Sequence, residues 1–294
     1  MNLPVGLKSK ILKNELSCKH TTFKIGGRVP LWIEPVDLDE LLKILSLFKR
    51  EKRRYFIIGS GSNLLIRGKG IKEVFIRLSS TYFKSLKMRK GNIVSGCGVS
   101  LNSIINFSAK NSLSGLEGLC GIPASLGGAI YMNASSNGVA ISDYVKEVKI
   151  IERNLSIKTL QKKDISFAHR QSSLKKAIII EAALNLDKCS KDKVLKRKEY
   201  YLIKKRKDQP LASKSAGCIF KNPDNSKYSS AKLIEMAGLK GASIGGAKVS
   251  SKHANYIVNY NQATAEEVKL LIKKIRGVVK KKYNIILKRE IIYI

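Results

Sequence analysis

Cysteine and histidine are both scarce in this chain. The five cysteines, Cys18, Cys97, Cys120, Cys189 and Cys218, are odd in number and far apart, and none belongs to a CxxC pair. That spacing argues against a disulfide framework and against a zinc site, so no metal is expected. The histidines are only three, at positions 20, 169 and 253. No apolar run approaches the length of a membrane span. The opening stretch MNLPVGLKSKILKNELSCKH lacks the apolar core and cleavage site of a secretory leader. A cytoplasmic protein without a membrane partner is therefore expected. Acidic residues are also few, 22 Asp and Glu against 56 Lys and Arg, for a net charge of +34. Such an excess suggests nucleic acid when it is concentrated in one arm. Here lysine is spread along the whole chain and accompanies abundant isoleucine, as an AT-rich genome would produce. A solvated basic surface is the preferred reading, and no nucleic-acid partner is expected.

At 294 residues the chain is long enough for two or three compact units, and 44% hydrophobic residues supply their cores. Residues 36–54 carry an apolar face at helical spacing with acids near the start. YFIIG reads as a buried strand, and LLIR and EVFIRL as further strands. LNSIINFSAKNSL reads as a helix, and VKEVKIIER and KKAIIIEAALNL as strands of a second sheet. The charged helical stretch 187–210 ends at a proline and suits a domain connection. SAKLIEMAGL reads as a short helix and HANYIVN as a strand. TAEEVKLLIKKIRGVVKKKYN has a Thr N-cap, acids in its first turn and lysines in its last, which predicts a helix. IILKREIIYI closes the chain as a strand. No internal repeat or low-complexity tail is present.

Five segments carry possible chemistry. GSGSN, comprising Gly59, Ser60, Gly61, Ser62 and Asn63, follows a strand, and successive N–H groups there could form an anion nest. An ordinary hairpin turn remains the alternative. Residues 115–135, GLEGLCGIPASLGGAIYMNAS, hold five glycines, and each costs backbone entropy on ordering. The backbone there packs either against a large flat ligand and its phosphates or against neighbouring elements. SFAHRQSSL contains Arg170, a candidate oxyanion clamp or a surface ion-pair partner. SAGCIFKNP contains Cys218, which could be a nucleophile, a proton donor or a small buried hydrophobe. LKREIIYI contains Glu290 between apolar neighbours.

The succession TTFKIGG, GSGSNLL, GLEGLCGIPASLGGAIYMNAS, AHRQSS, SAGCIFKNP, HANYIVN and a last-strand glutamate resembles the UDP-N-acetylenolpyruvoylglucosamine reductase family over nearly the whole chain. The resemblance implies an α+β fold. It would be a vanillyl-alcohol-oxidase (PCMH)-type FAD-binding module of two α+β subdomains, with a C-terminal α+β substrate-binding domain. Residues 1–80 with the strand 285–294 would form the first FAD subdomain, 81–190 the second, and 191–284 the substrate domain. FAD would be held by residues 59–63 and by Gly121, Ile122, Pro123, Ala124, Ser125, Gly127, Gly128 and Ala129.

The activity so implied is reduction of UDP-N-acetylglucosamine enolpyruvate by NADPH through FAD, in peptidoglycan precursor synthesis, by a monomer. Hydride would reach the terminal vinyl carbon. Arg170 and Glu290 would stabilise the charge that develops beside it, and Cys218 would return the proton. Many members carry serine at that last position. A thiol, with a reference pKa of about 8.5, keeps the role. One position departs from the family: the residue before Arg170 is usually tyrosine and here is His169. His169, Arg206, Lys221, Asn222 and Lys248 are the candidate substrate-binding residues. Two rival readings are an FAD oxidase of the same fold and a basic nucleic-acid-binding protein. The first would not require the SAGCIFKNP and terminal-glutamate pair, and the second would leave the glycine motifs unexplained.

Overall fold

The structure, a computed structural model, describes residue 4 and residues 6–294. The residues outside this set carry part of the no-leader reading. Two compact units emerge. The first takes the described residues up to Lys13 together with Pro30–Ser60 and Lys72–Lys204, and the second takes Asn14–Val29, Gly61–Ile71 and Lys205–Ile294.

In the first unit, α1 (Leu38–Arg50) and α2 (Leu101–Lys110) appear where the apolar spacing places them, and a short helix, α3 (Leu126–Tyr131), lies within the glycine-rich segment. Asp37, Ser100 and Ser125 cap them, each side chain accepting a backbone N–H of the first turn. A four-stranded sheet runs in the order Lys10–Leu16, Arg28–Glu34, Val74–Arg77, Tyr55–Ile58. Val74–Arg77 is parallel to both its neighbours. A five-stranded antiparallel sheet runs Ile157–Gln161, Val145–Ile151, Ile178–Leu184, Asn92–Gly96, Leu86–Arg89. Its middle strand is apolar on both faces because both are covered, hence the unbroken AIII run. One hydrophobic core serves both sheets, joining Ile33, Phe48 and Ile76 to Ile93, Ile130, Val148 and Ile180.

The charged stretch forms α4 (Lys191–Asp208), and the division between units falls inside it, at Lys204–Lys205. In the second unit, an antiparallel sheet runs Ser215–Cys218, Tyr256–Asn259, Ala247–Val249, Ser243–Ile244. It shares a core with α5 (Ser230–Met236) and α6 (Ala265–Tyr283), built on Phe220, Leu233, Ile257, Leu271 and Ile275. Thr264 and Glu267 form a capping box on α6: Thr264 Oγ1 accepts from Glu267 N at 3.2 Å, and Glu267 Oε2 accepts from Thr264 N at 2.8 Å. Glu267 also accepts from Gly246 N at 3.2 Å, which ties the helix start to the sheet.

One alternative falls and one expectation is corrected here. The loop 59–63 is not a hairpin turn: Tyr55–Ile58 pairs with Val74–Arg77, whereas Leu64–Leu65 pairs in parallel with Ile292–Tyr293. The closing segment is likewise not one continuous strand. Only Ile292–Tyr293 is regular, preceded by a single bridge between Phe220 and Arg289. Its bonds to the Asn63–Arg67 backbone start at Ile292 N, because the residues before it bond instead to Ile219 and Lys221.

His253 sits in the second unit with its ring edge-on to Tyr256, centroids 4.9 Å apart. Burial holds its pKa below the ordinary 6.5, because charging the ring would cost solvation. Its Nδ1 is buried and has no hydrogen-bond partner among the described residues. The folded state therefore prefers the neutral ring, and the unfolded chain binds the proton more readily. Stability from this group is present above pH 6.5 and is lost as pH falls below it. Acidification from neutral pH should lower the melting temperature of the wild type more than that of His253→Gln, and thermal melts across pH check this.

Candidate active site

Cys218 ends its strand one residue after Gly217, whose φ is +78°. The pairing with Tyr256–Asn259 slips between Ser215 and Cys218, so the thiol is re-aimed by a bulge that a side chain at Gly217 would strain. Cys218 is half-buried, whereas Cys97 and Cys120 are core residues. Burial pushes the Cys97 thiol up to about 12, which leaves it inert.

The segment after Cys218 runs antiparallel to the chain end. Glu290 N donates to Ile219 O at 2.8 Å, and Lys221 N to Lys288 O at 2.9 Å. Asn63 Nδ2 donates to Glu290 O at 3.3 Å. Three residues named from distant stretches, Asn63, Cys218 and Glu290, are thus joined through adjacent backbone. Glu290 is half-buried rather than projecting into solvent.

Asn255, 3% exposed, holds this arrangement and was not singled out by sequence reasoning. Its side chain accepts from Phe220 N at 2.9 Å and donates to Phe220 O at 2.8 Å, and its carbonyl accepts from Ile219 N at 2.8 Å. The signal was available: an asparagine preceding the apolar YIV must satisfy its amide internally if buried.

Arg170 lies in the first unit, at the tip of the hairpin formed by Phe167–Ala168 and Gln171–Ser172. Its φ is +59°, a left-handed conformation that costs an arginine energy and marks a constrained position. Arg170 Nη1 donates to Ser135 O at 3.0 Å and Oγ at 3.1 Å, and Asn133 Nδ2 donates to Ala168 O at 3.1 Å. The end of the glycine-rich segment therefore orients the guanidinium. Ser135 is a second residue whose role the sequence left unread. His169, the other tip residue, is exposed.

The two proposed cofactor segments differ in what they can offer. Among the described residues, the N–H groups of Gly61, Ser62 and Asn63 have no hydrogen-bond acceptor. They form a short run of donors suited to a diphosphate. Gly61, at φ +65°, lies against the backbone of His20 and Thr21, where a Cβ would overlap the His20 carbonyl oxygen. In the segment 121–129, by contrast, most N–H groups are used internally. Gly121 donates to Asn102, Ile122 to Leu119, Ala124 to Ile122, Leu126 to Val99, Gly127 to Cys97 and Gly128 to Ser125. Pro123 has none. This segment, which also packs its Ser125 hydroxyl against Gly59, fits a ligand by the side chains it lacks rather than by donors. Taken separately, the donor run of the second unit suits a diphosphate, and the side-chain-poor segment of the first suits a flat ring. Gly61→Val should purify without bound flavin, which the visible absorption spectrum checks. Full flavin occupancy would remove this loop from the site.

The remaining candidates lie in the second unit. Arg206 is exposed, and its carbonyl accepts from Lys252 Nζ. Lys248 Nζ lies 5.5 Å from the centroid of the Tyr260 ring. Arg206 and Lys248 line one cavity of about 600 Å³ together with Gln209, Ser250 and Lys252. Tyr256 OH donates to Gln209 Oε1 at 2.9 Å, fixing one wall. Asn222 Oδ1 accepts from Ser230 N at 3.0 Å, at the start of α5, so its carbonyl oxygen is committed to that helix. Lys221 is half-buried beside it. Among the described residues no group of His, Cys, Asp and Glu could hold a metal ion, and no helix is long and apolar enough to cross a membrane.

Known proteins match these features. A family model described as UDP-N-acetylenolpyruvoylglucosamine reductase, C-terminal domain, matches residues 209–294. One described as FAD binding domain matches residues 30–160. The UDP-N-acetylenolpyruvoylglucosamine reductase of Caldanaerobacter subterraneus subsp. tengcongensis is 39% identical over 286 residues, covering 97% of this chain and 93% of that protein. That of Bacillus pumilus is 37% identical, covering 96% and 93%. The crystal structure of the Thermus caldophilus reductase superposes with a TM-score of 0.83 at 30% identity, covering 98% and 99%. A solvent-stable cholesterol oxidase, at TM-score 0.50 and 14% identity over 64% of this chain, shares the fold alone. With such relatives matched along nearly their whole length, the chain belongs to the UDP-N-acetylenolpyruvoylglucosamine reductase family.

Proposed function

We propose that Arg170, Cys218 and Glu290 carry out the chemistry of this reductase. The chain is an FAD-dependent oxidoreductase that reduces UDP-N-acetylglucosamine enolpyruvate to UDP-N-acetylmuramate for peptidoglycan synthesis, with NADPH as reductant. Bound FAD supplies to the terminal vinyl carbon the hydride drawn from NADPH. What the chain itself must do is hold the negative charge that develops on the neighbouring carbon and its carboxylate, and then quench it. Arg170, oriented by Ser135, supplies a fixed positive charge to the carboxylate, and Glu290 acts on it by a hydrogen bond or as an acid. Cys218 delivers the proton from Sγ to the carbon.

The observation that carries this reading is the joining of Asn63, Cys218 and Glu290 through adjacent backbone. Gly59, Ser60, Gly61, Ser62 and Asn63, with residues 121–125 and 127–129, are assigned to FAD. Arg206, Lys248, Lys221, Asn222 and His169 are assigned to the substrate's diphosphate and carboxylate or to nicotinamide. The functional division runs 1–80 with 285–294, then 81–190, then 191–284. The enzyme acts as a cytoplasmic monomer and needs no nucleic acid or membrane. Anaerobic stopped-flow absorbance tests the activity. NADPH should bleach the flavin, and UDP-N-acetylglucosamine enolpyruvate should restore it; restoration by oxygen alone would point to an oxidase instead.

A further inference from the structure

We infer that a groove in the second unit, between α6 and the terminal segment 284–291, docks an extended acidic segment of a partner polypeptide. The groove encloses about 610 Å³ and is lined by Lys273, Arg276, Lys280 and Arg289 together with Leu270 and Ile286. None of the catalytic or substrate residues assigned above belongs to it.

Three features select this occupant. The first is charge. Among the described residues, Lys273, Arg276, Lys280 and Arg289 make no ion pair, and the carboxylate that also lines the cleft, Glu266, is engaged by Lys269 rather than by any of these four. Lys269, at the head of the same stripe, is already held by Glu266 at 2.9 Å. The second is spacing. Positions 269, 273, 276 and 280 advance by four, three and four residues and so share a helix face, about 4.5–6 Å apart along the axis. In an extended chain, side chains on one side recur about every 6.6 Å, which lets alternate carboxylates meet successive cations. The stripe is about 16 Å long, enough for roughly five extended residues.

The third is shape. Leu270 and Ile286, 52% and 57% exposed, form apolar walls beside the charges. Gly277 lies inside α6, where a glycine weakens the helix relative to alanine. A Cβ there would meet nothing within 4 Å, so close packing is not what requires the glycine. What its absence of side chain preserves is the open cleft. A concave, apolar-walled site suits an inserted chain bearing alternating acidic and aliphatic residues better than a flat bilayer or a nucleic-acid backbone.

The test uses the full-length, flavin-loaded enzyme. Its probe is a fluorescein-labelled peptide of about eight residues alternating Asp and Leu, read by anisotropy. An Asn–Leu peptide, phosphatidylglycerol vesicles and an oligo-dT strand are run in parallel. Lys273→Glu with Arg276→Glu should weaken peptide binding about tenfold or more. Lys87→Glu with Arg89→Glu, an equal charge change on an exposed strand of the first unit, should change it less than about twofold. Gly277→Leu, which fills the cleft without altering charge, should also weaken it several-fold. Equal losses in the two charge-reversal variants would reduce the effect to the general basic field and overturn the proposal. So would failure of the Asp–Leu peptide to bind better than its Asn–Leu counterpart. Groove-dependent capture of the vesicles or the oligonucleotide instead of the peptide would overturn it in favour of those partners.

Discussion

Cys218→Ala should slow reoxidation of the reduced flavin by UDP-N-acetylglucosamine enolpyruvate by about 10²–10⁴-fold, the usual contribution of a general acid. Reduction of the flavin by NADPH should be unchanged, since no proton from Cys218 is needed there. Cys218→Ser should retain most of the activity, because a hydroxyl of similar size occupies the same bulge after Gly217. The alternative is that the thiol only packs. It is half-buried at a strand end, unlike Cys97 and Cys120, which are embedded in the first unit's core. A packing role predicts that serine is no better than alanine and that turnover per folded molecule is unchanged in both. Single-turnover measurement of the two half-reactions in both variants separates the outcomes. Normal reoxidation in Cys218→Ala would remove the thiol from the mechanism.

The second large effect is expected at the charge-stabilising pair. Arg170→Ala and Glu290→Gln should each slow the substrate half-reaction by about 10²–10³-fold, as loss of one preorganised electrostatic partner typically does. Flavin reduction by NADPH should be largely spared. For Arg170 the structure adds a control. The guanidinium is oriented by Ser135, so Ser135→Ala removes the hydroxyl anchor and leaves the backbone carbonyl bond in place. A smaller loss in the same half-reaction is expected there. Because Arg170 occupies a left-handed conformation at a hairpin tip, Arg170→Ala is also judged by its melting temperature. Equal slowing of both half-reactions would mean that these residues shape the fold or the flavin site and not the developing charge.

Much of this protein could be read along the chain because the relevant forces are local. Capping by Asp37, Ser100 and Thr264 and the apolar spacing of α1, α2 and α6 involve residues within one or two helical turns, so composition and period suffice. The doubly covered strand Ile178–Leu184 announced itself as an apolar run for the same reason. The order of the motifs was likewise enough to suggest the family. Tertiary structure alone decided how distant stretches meet. Nothing near GSGSN indicates that Leu64–Leu65 would pair with the last residues of the chain rather than with the preceding strand. Nothing near SAGCIFKNP indicates that Asn255 would satisfy the backbone of Phe220, or that Glu290 would hydrogen-bond beside Cys218. Hydrogen bonds across such sequence separations follow from which edges the two cores leave open, and a single strand's pattern does not encode its partner. The glycines illustrate both sides. Their density was visible, but only the folded backbone separated Gly61, whose N–H and the next two have no acceptor among the described residues, from the segment 121–129, most of whose N–H groups the protein has already used.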